Sequence, residues 1–155
     1  MQLDQTDKQI LNILQEDAKI TNKELSSQLN LSPTAIYERI KKLERNDFIK
    51  NYVALLNDDK IERDFVVFCQ IKLLQHAKDY LTTFEADIIA LPEVLECYHI
   101  SGDYDYLLKV AVKDMEAYRV FMVTKLTTLQ YIGSTHSSFS ISAVKHTTKH
   151  EMGNE

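Results

Sequence analysis

The stretch TNKELSSQLNLSPTAIYERIKKLER, residues 21–45, contains two helix starts with almost no room between the helices. Thr21 and Glu24 form a capping box, in which each side chain satisfies a backbone N–H that the first helical turn leaves unpaired. Ser32 is a typical N-cap for the second helix. Asn30, between them, tolerates the left-handed backbone that ends a helix sharply. The stretch therefore predicts two short helices joined by a tight turn.

A further helix is predicted before this pair. It follows Asp4 or Thr6, and its apolar residues recur at helical spacing, at Ile10, Ile13, Leu14 and Ala18. Three helices with a tight turn between the last two describe a helix-turn-helix unit.

The third helix has one apolar and one polar side. At about 100° per residue, Ile36, Ile40 and Leu43 form the apolar stripe. On a DNA-reading helix, the N-terminal residues of the polar side reach base edges and the others contact phosphate. The candidate base readers are Thr34, Tyr37 and Glu38, and the candidate phosphate contacts are Ser32, Lys41, Lys42 and Arg45. The same pattern also suits a plain solvated face, with Glu38 and Lys42 as an ion pair.

The charge of the chain bears on this choice. Its 155 residues include 18 Lys and Arg against 23 Asp and Glu, a net charge of −5. Residues 1–50 hold eight basic and eight acidic groups, so the whole excess lies in residues 51–155. Because charges are screened over about 8 Å at physiological salt, acidity elsewhere in the chain does not prevent a local contact with phosphate.

Several classes of protein are not indicated. No apolar run approaches the roughly 20 residues of a membrane span, and the start MQLDQTDKQI does not resemble a signal peptide. We therefore expect a cytoplasmic protein without membrane contact. Cys69 and Cys97 are expected to be small buried hydrophobic residues. The five histidines, of which two form HTTKH at 146–150, give no third metal ligand, and we expect no metal, cofactor or enzymatic activity.

Beyond residue 64 the pattern predicts the order strand, helix, strand, strand, helix, strand. The strands are predicted over residues 65–74, 94–101, 105–112 and 134–145, and the amphipathic helices over 77–91 and 115–129. This order is that of the ferredoxin-like βαββαβ sandwich, so the predicted fold class is α+β with an N-terminal, winged-helix-like helix-turn-helix domain. The helices cover one face of the sheet. The other carries apolar side chains, and we expect a second copy of the chain to cover it.

The predicted division of the chain follows from these patterns. Residues 1–51 form the helix-turn-helix domain, 52–64 a strand linker, and 65–150 the ferredoxin-like domain. FIKNYVALLN, residues 48–57, is expected to be a strand that serves as a wing or linker. The polar run at 57–64 marks the boundary.

The hairpin turn SGDYDY, residues 101–106, contains more polar groups than turning requires. Gly102 offers a backbone N–H to a carboxylate, and Asp103 or Asp105, beside Tyr104, offers an acidic partner to an ammonium group. An α-amino acid carries both groups. The alternative is that Gly102 and Asp103 only satisfy turn geometry.

The chain resembles the Lrp/AsnC family of bacterial and archaeal transcription regulators. The resemblance runs from LDQTDKQ through IKKLE, residues 3–44, and from LPEV to MEAY, residues 91–118, with SGDYDYLLKV as its most specific part. It implies binding to double-stranded DNA, homodimers that assemble further, often to octamers, and an amino-acid effector bound between C-terminal domains. It also suggests that Thr135 and Ser137 complete the effector site across a subunit boundary.

The chain departs from the family pattern at three positions. Glu38 stands where the family commonly has Arg, which leaves the usual DNA sequence preference open. It also favours an alternative function, an amino-acid-sensing module that acts through protein contacts without DNA. Asn30 and Asp47 replace Gly, and Asn and Asp are the residues other than Gly that best accept a positive φ.

Overall fold

The computed structural model describes residues 2–153, which form two compact units. The first combines residues 2–55 with residues 145–153, and the second is Leu56–Val144. Among the described residues, no helix is both long and apolar enough to cross a membrane.

The first unit contains α1 (Gln5–Glu16), α2 (Asn22–Leu29) and α3 (Pro33–Arg45). Each begins at a predicted cap. Asp4 caps α1, Thr21 caps α2, and Ser32 caps α3 by accepting a hydrogen bond from the Ala35 N–H at 3.1 Å. At α2 the capping box is complete, because the Thr21 N–H also donates to the Glu24 carboxylate at 2.8 Å.

The turn between α2 and α3 depends on one residue. Asn30 has a φ of 52°, in the left-handed region, and the N–H of Leu31 then donates to the Ser26 carbonyl oxygen at 3.2 Å. Asp47, just after α3, has a φ of 57°. Both positions where the chain has Asn or Asp in place of Gly therefore adopt the predicted positive φ, and both helices end there.

The core of this unit is small and apolar. Ile10, Leu25, Ile36 and Leu43 are fully buried and contact one another across the three helices. Burying one such side chain contributes about 1.5–3 kcal/mol. This core holds the apolar stripe of α3 against α1 and α2.

The C-terminal tail belongs to the first unit. Residues 148–153 run along α1, where the Asn12 side-chain amide donates to the Met152 carbonyl oxygen at 3.2 Å and accepts from the Met152 N–H at 3.0 Å. Gln15 makes the same two contacts with His150, at 2.9 and 2.7 Å. Two side-chain amides thus bind alternate residues of an extended backbone. The sequence-based division ended the C-terminal domain at residue 150 and assigned the tail no contact.

The second unit is a four-stranded antiparallel sheet with helices. Its elements are β1 (Phe65–Leu73), α4 (Lys78–Ile89), β2 (Val94–His99), β3 (Tyr106–Val112), α5 (Met115–Thr124), a short 3-10 turn (Leu126–Thr128) and β4 (Ile132–Phe139). The strand order is β2-β3-β1-β4. This order, together with the sequence of elements, confirms the ferredoxin-like fold.

One face of the sheet packs against the helices and the other is exposed. On β1, Val67, Cys69 and Ile71 are buried in the core with the helices. Phe68, between them, points to the opposite face and is 39% exposed. Tyr98 on β2 is 52% exposed. As predicted, the sheet face away from the helices presents apolar side chains.

Two predicted strands differ from the structure. Residues 48–57 form no strand in this single chain, because none of the described strands lies alongside them to pair with. The last strand was predicted to reach residue 145 but ends at Phe139. Its partner β1 begins at Phe65, so the backbone beyond residue 140 has nothing to pair with. Ile141 and Val144 are fully exposed there.

Candidate nucleic-acid interface and ligand site

The predicted DNA-facing residues lie together on one side of α3. Ile36 and Leu43 are buried on the other side. The exposed set is Thr34, Tyr37, Glu38, Lys42 and Arg45, with Lys41 partly covered. Glu38 and Lys42 do not pair, and none of the described ion pairs includes Arg45. The face therefore carries two cations without a carboxylate partner.

Lys41 is different, because its ammonium is already paired. Its Nζ lies 2.6 Å from Oε2 of Glu44 and 5.9 Å from the centre of the Tyr37 ring. The other oxygen of Glu44 accepts a hydrogen bond from the Tyr52 hydroxyl at 3.1 Å. Pairing with Glu44 raises the pKa of Lys41, and the same contact lowers the pKa of Glu44.

Arg39, one of the five basic residues between positions 32 and 50, faces inward. Its Nη1 lies 2.7 Å from Asp4 and 2.6 Å from Asp7, whose side chain is 1% exposed. The Asp7 N–H and, after it, the Arg39 guanidinium lower the pKa of Asp4. Sequence analysis missed this contact, because Asp4 and Asp7 already form a capping box and nothing in the local pattern relates them to Arg39.

The SGDYDY loop has an exposed tip and a supporting base. Gly102 has a φ of 125°, a backbone conformation that side chains rarely allow, and Gly102 and Asp103 are exposed. Asp105 is instead turned toward its own unit. Its Oδ2 accepts from the Leu73 N–H at 2.7 Å, and its Oδ1 lies 3.3 Å from Nδ1 of His76. Asp105 thus joins the hairpin to the end of β1.

The two predicted residues of β4 do not join this loop within the chain. Oγ of Ser137 lies 2.6 Å from the Tyr118 hydroxyl on α5, so Ser137 points to the helix-covered face, as does Thr135 by strand alternation. His136 points to the other face, where its ring centre is 6.3 Å from that of Tyr104. Within the chain the Ser137 hydroxyl is thus already hydrogen-bonded to Tyr118, and the contribution of Thr135 and Ser137 to an effector site across a subunit boundary stays a prediction.

The cysteines and histidines form no reactive centre in the part of the chain that the structure describes. Burial raises the pKa of both thiols, Cys69 and Cys97, which disfavours the reactive thiolate. Among these residues no group of three His, Cys, Asp or Glu side chains has the geometry of a metal site. A small pocket of about 270 Å³ beside Cys97 contains a hydrogen bond from the Tyr106 hydroxyl to Oε1 of Glu85, at 2.7 Å.

Comparison with known proteins agrees with both halves of the chain. A family model described as the Lrp/AsnC ligand binding domain matches residues 66–150, and one described as a winged helix-turn-helix DNA-binding domain matches residues 3–50. The chain belongs to the Lrp/AsnC family. The leucine-responsive regulatory protein of Salmonella typhimurium is 42% identical to this Lrp/AsnC protein over 147 residues, which is 95% of this chain and 90% of that protein. The Escherichia coli K12 protein of the same name is 41% identical over the same length.

Solved structures match this Lrp/AsnC protein over its whole described fold. A transcriptional regulator from Neisseria meningitidis, solved as a complex with L-Met, superposes with a TM-score of 0.91 at 35% identity and covers 98% of this chain and 97% of that one. An AsnC family regulator from Agrobacterium tumefaciens gives 0.90 at 36% identity, with 95% of each chain covered. The protein is therefore a DNA-binding transcription regulator with a ligand-binding domain, and not an enzyme.

Replacement of Arg39 by Gln is expected to lower the free energy of unfolding by about 1–3 kcal/mol, because Asp7 would stay buried without its cation. Urea unfolding followed by the helical circular dichroism signal measures this. Arg45→Gln on the same helix is the matched control and should change stability by less than about 0.5 kcal/mol. Equal stability of the two variants would contradict a supporting role for Arg39.

Proposed function

We propose that this regulator docks the exposed face of α3 in the major groove of its operator and that an amino acid modulates this binding. The observation that supports the docking is the division of basic residues on α3. Arg39 is used to hold α1, whereas Lys42 and Arg45 lie on the exposed side without ion partners among the described residues. Thr34, Tyr37 and Glu38 occupy the N-terminal half of the same side, where base edges are read.

Phosphate contacts come from the remaining positions of this face. Lys42 and Arg45 can each neutralise one phosphate and release its counterion. The N-terminus of α3 at Ser32 can accept another phosphate through its unpaired backbone N–H groups. Because the N-terminal half of the chain is nearly neutral, a single copy is expected to bind weakly. Linked copies raise the effective concentration of the second reading helix.

The proposed effector is an amino acid of the leucine or methionine class. The Neisseria meningitidis relative was solved with L-Met, and the curated relatives are named leucine-responsive. In this chain the proposed contacts are the backbone at Gly102 and the side chains of Asp103 and Tyr104, with Asp105 as the support of the loop. Thr135 and Ser137 are proposed to complete the site from across a subunit boundary, as the family resemblance implies.

The proposed assembly is a homodimer formed through the outer sheet face, with further association to an octamer. Phe68 and Tyr98 are exposed on this face, next to the ion pair of Lys109 with Glu96 at 2.9 Å. An exposed apolar face on a sheet is typical of an interface between subunits. Because its proposed target is DNA, we expect this assembly to work in the cytoplasm.

Lys42→Ala and Arg45→Ala are each expected to reduce the slope of log affinity against log salt by about 0.9, because each removes one phosphate contact. Fluorescence anisotropy on DNA from upstream of the protein's own gene, at several salt concentrations, measures this slope. Thr34 and Tyr37 variants should instead change which sequence is preferred. Arg119→Ala, an exposed arginine of the second unit, is the control and should leave the slope unchanged. Unchanged slopes in both Lys42→Ala and Arg45→Ala would rule out docking through α3.

Binding of L-leucine or L-methionine is expected to raise the free energy of unfolding, and with it the Tm. The increase in free energy is about 2.7 kcal/mol at a ligand concentration one hundred times the Kd. Asp103→Asn should weaken binding about tenfold or more, because it removes the charge that faces the ammonium group. Titration calorimetry compares it with Asp79→Asn, an exposed carboxylate on α4. Asp103 is a cleaner test than Asp105, whose loss would also leave the Leu73 N–H unpaired. Wild-type affinity in Asp103→Asn would show that the loop is only a turn.

Phe68→Glu is expected to shift the protein toward the monomer, because it places a charge in the proposed apolar interface. Size-exclusion chromatography with light scattering at micromolar concentration measures the mass. Val123→Glu, an equally drastic change on the exposed side of α5, should leave at least a dimer. A Phe68→Glu protein with the wild-type mass would exclude this face as the interface.

A further inference from the structure

Glu44 occupies an unfavourable position on α3. It lies in the last turn of the helix, where the unpaired carbonyl groups carry partial negative charge and disfavour a carboxylate. Glu44 also follows its partner Lys41 by three positions. An ion pair in which the acidic residue follows the basic one stabilises a helix less than a pair in the reverse order. Exposed pairs of this kind contribute little to stability. Helix stability therefore gives no reason for a carboxylate here.

The contacts of Glu44 suggest another role. Both of its oxygens are used, one by the Lys41 ammonium at 2.6 Å and the other by the Tyr52 hydroxyl at 3.1 Å. Tyr37, Lys41 and Glu44 follow one another along a single ridge of α3, at spacings of four and three residues. Tyr52 comes from the segment that leaves the helix-turn-helix unit. A row of side chains thus runs from the candidate base readers to this segment.

The contact with Glu44 determines whether the Lys41 ammonium is available to DNA. Held by Glu44, the Lys41 ammonium is neutralised and kept against the helix, and α3 offers two unpaired cations to DNA instead of three. A phosphate oxygen would have to compete with the Glu44 carboxylate for the same ammonium. Burial, and then its hydrogen bond to Glu44, raise the pKa of Tyr52 to about 12, so its hydroxyl stays protonated and keeps donating.

We propose that Glu44 is a positioning residue that limits the positive charge α3 presents to DNA, and that Tyr52 holds Glu44 in that role. A displacement of residues 50–55 that withdraws Tyr52 would loosen Glu44 and release Lys41 toward phosphate. The segment that leaves the DNA-binding unit thereby sets DNA affinity without touching DNA. This inference rests on the proposed docking of α3.

The test is a double-mutant cycle on DNA affinity in the full-length protein. Glu44→Gln keeps the shape of the side chain and an oxygen for Tyr52 but loses the charge. It is expected to tighten binding about threefold at physiological salt and to steepen the salt slope by about 0.9, which corresponds to one added phosphate contact. In the Lys41→Ala background the same change should give no such gain. Tyr52→Phe, which keeps the ring and removes the hydroxyl, should act in the same direction as Glu44→Gln.

Glu38→Gln is the matched control for the coupling between Glu44 and Lys41. It also removes a carboxylate from α3, but among the described contacts the Glu38 carboxylate has no partner. Its effect on affinity should be equal with and without Lys41. If the gain from Glu44→Gln is the same in both backgrounds, or if neither Glu44→Gln nor Tyr52→Phe changes affinity, the inference is overturned. In that case Lys42→Ala and Arg45→Ala would still weaken binding. If those two variants also have no effect, the docking of α3 itself has failed.

Discussion

The ion pair between Arg39 and the buried carboxylate of Asp7 fixes which side of α3 faces outward. Apolar packing of Ile36, Ile40 and Leu43 on α1 and α2 sets the approximate rotation of α3, because these side chains form one stripe along the helix. A guanidinium bound to two carboxylates at the start of α1 allows one rotation. The proposed DNA-facing residues lie on the side of α3 opposite this contact and the apolar stripe.

Charge is distributed so that an acidic chain can still serve as a DNA-binding protein. The net charge of −5 belongs entirely to residues beyond 50. Within the first unit Asp4, Asp7, Glu24 and Glu44 are used locally, as caps or as partners of Arg39 and Lys41. Lys42 and Arg45 lie on the side of α3 that the core does not cover. The chain therefore needs no basic composition. It needs a few cations in the right place and several copies of them held together.

The sequence allowed prediction of features that depend on near neighbours. Helix caps at Thr21 and Ser32, the positive φ at Asn30 and the order of strands and helices all rest on spacings of a few residues, and the structure confirms them. Features that depend on distant partners were missed. Arg39 pairs 32 and 35 positions away, and Asp105 accepts from a backbone group 32 positions away. The face that Ser137 occupies follows from its pairing with Cys69, which local alternation cannot reveal.

The tail along α1 has a consequence for how the protein is made. Asn12 and its partner Met152 are 140 positions apart, so a ribosome that has finished the three helices has not yet produced the segment that lines the first of them. At typical synthesis rates of about 5–20 residues per second, the nascent helices wait several seconds for that segment. During this interval the whole sandwich emerges first. The helix-turn-helix unit of this regulator is thus begun before the ligand-binding domain is made and completed only after it.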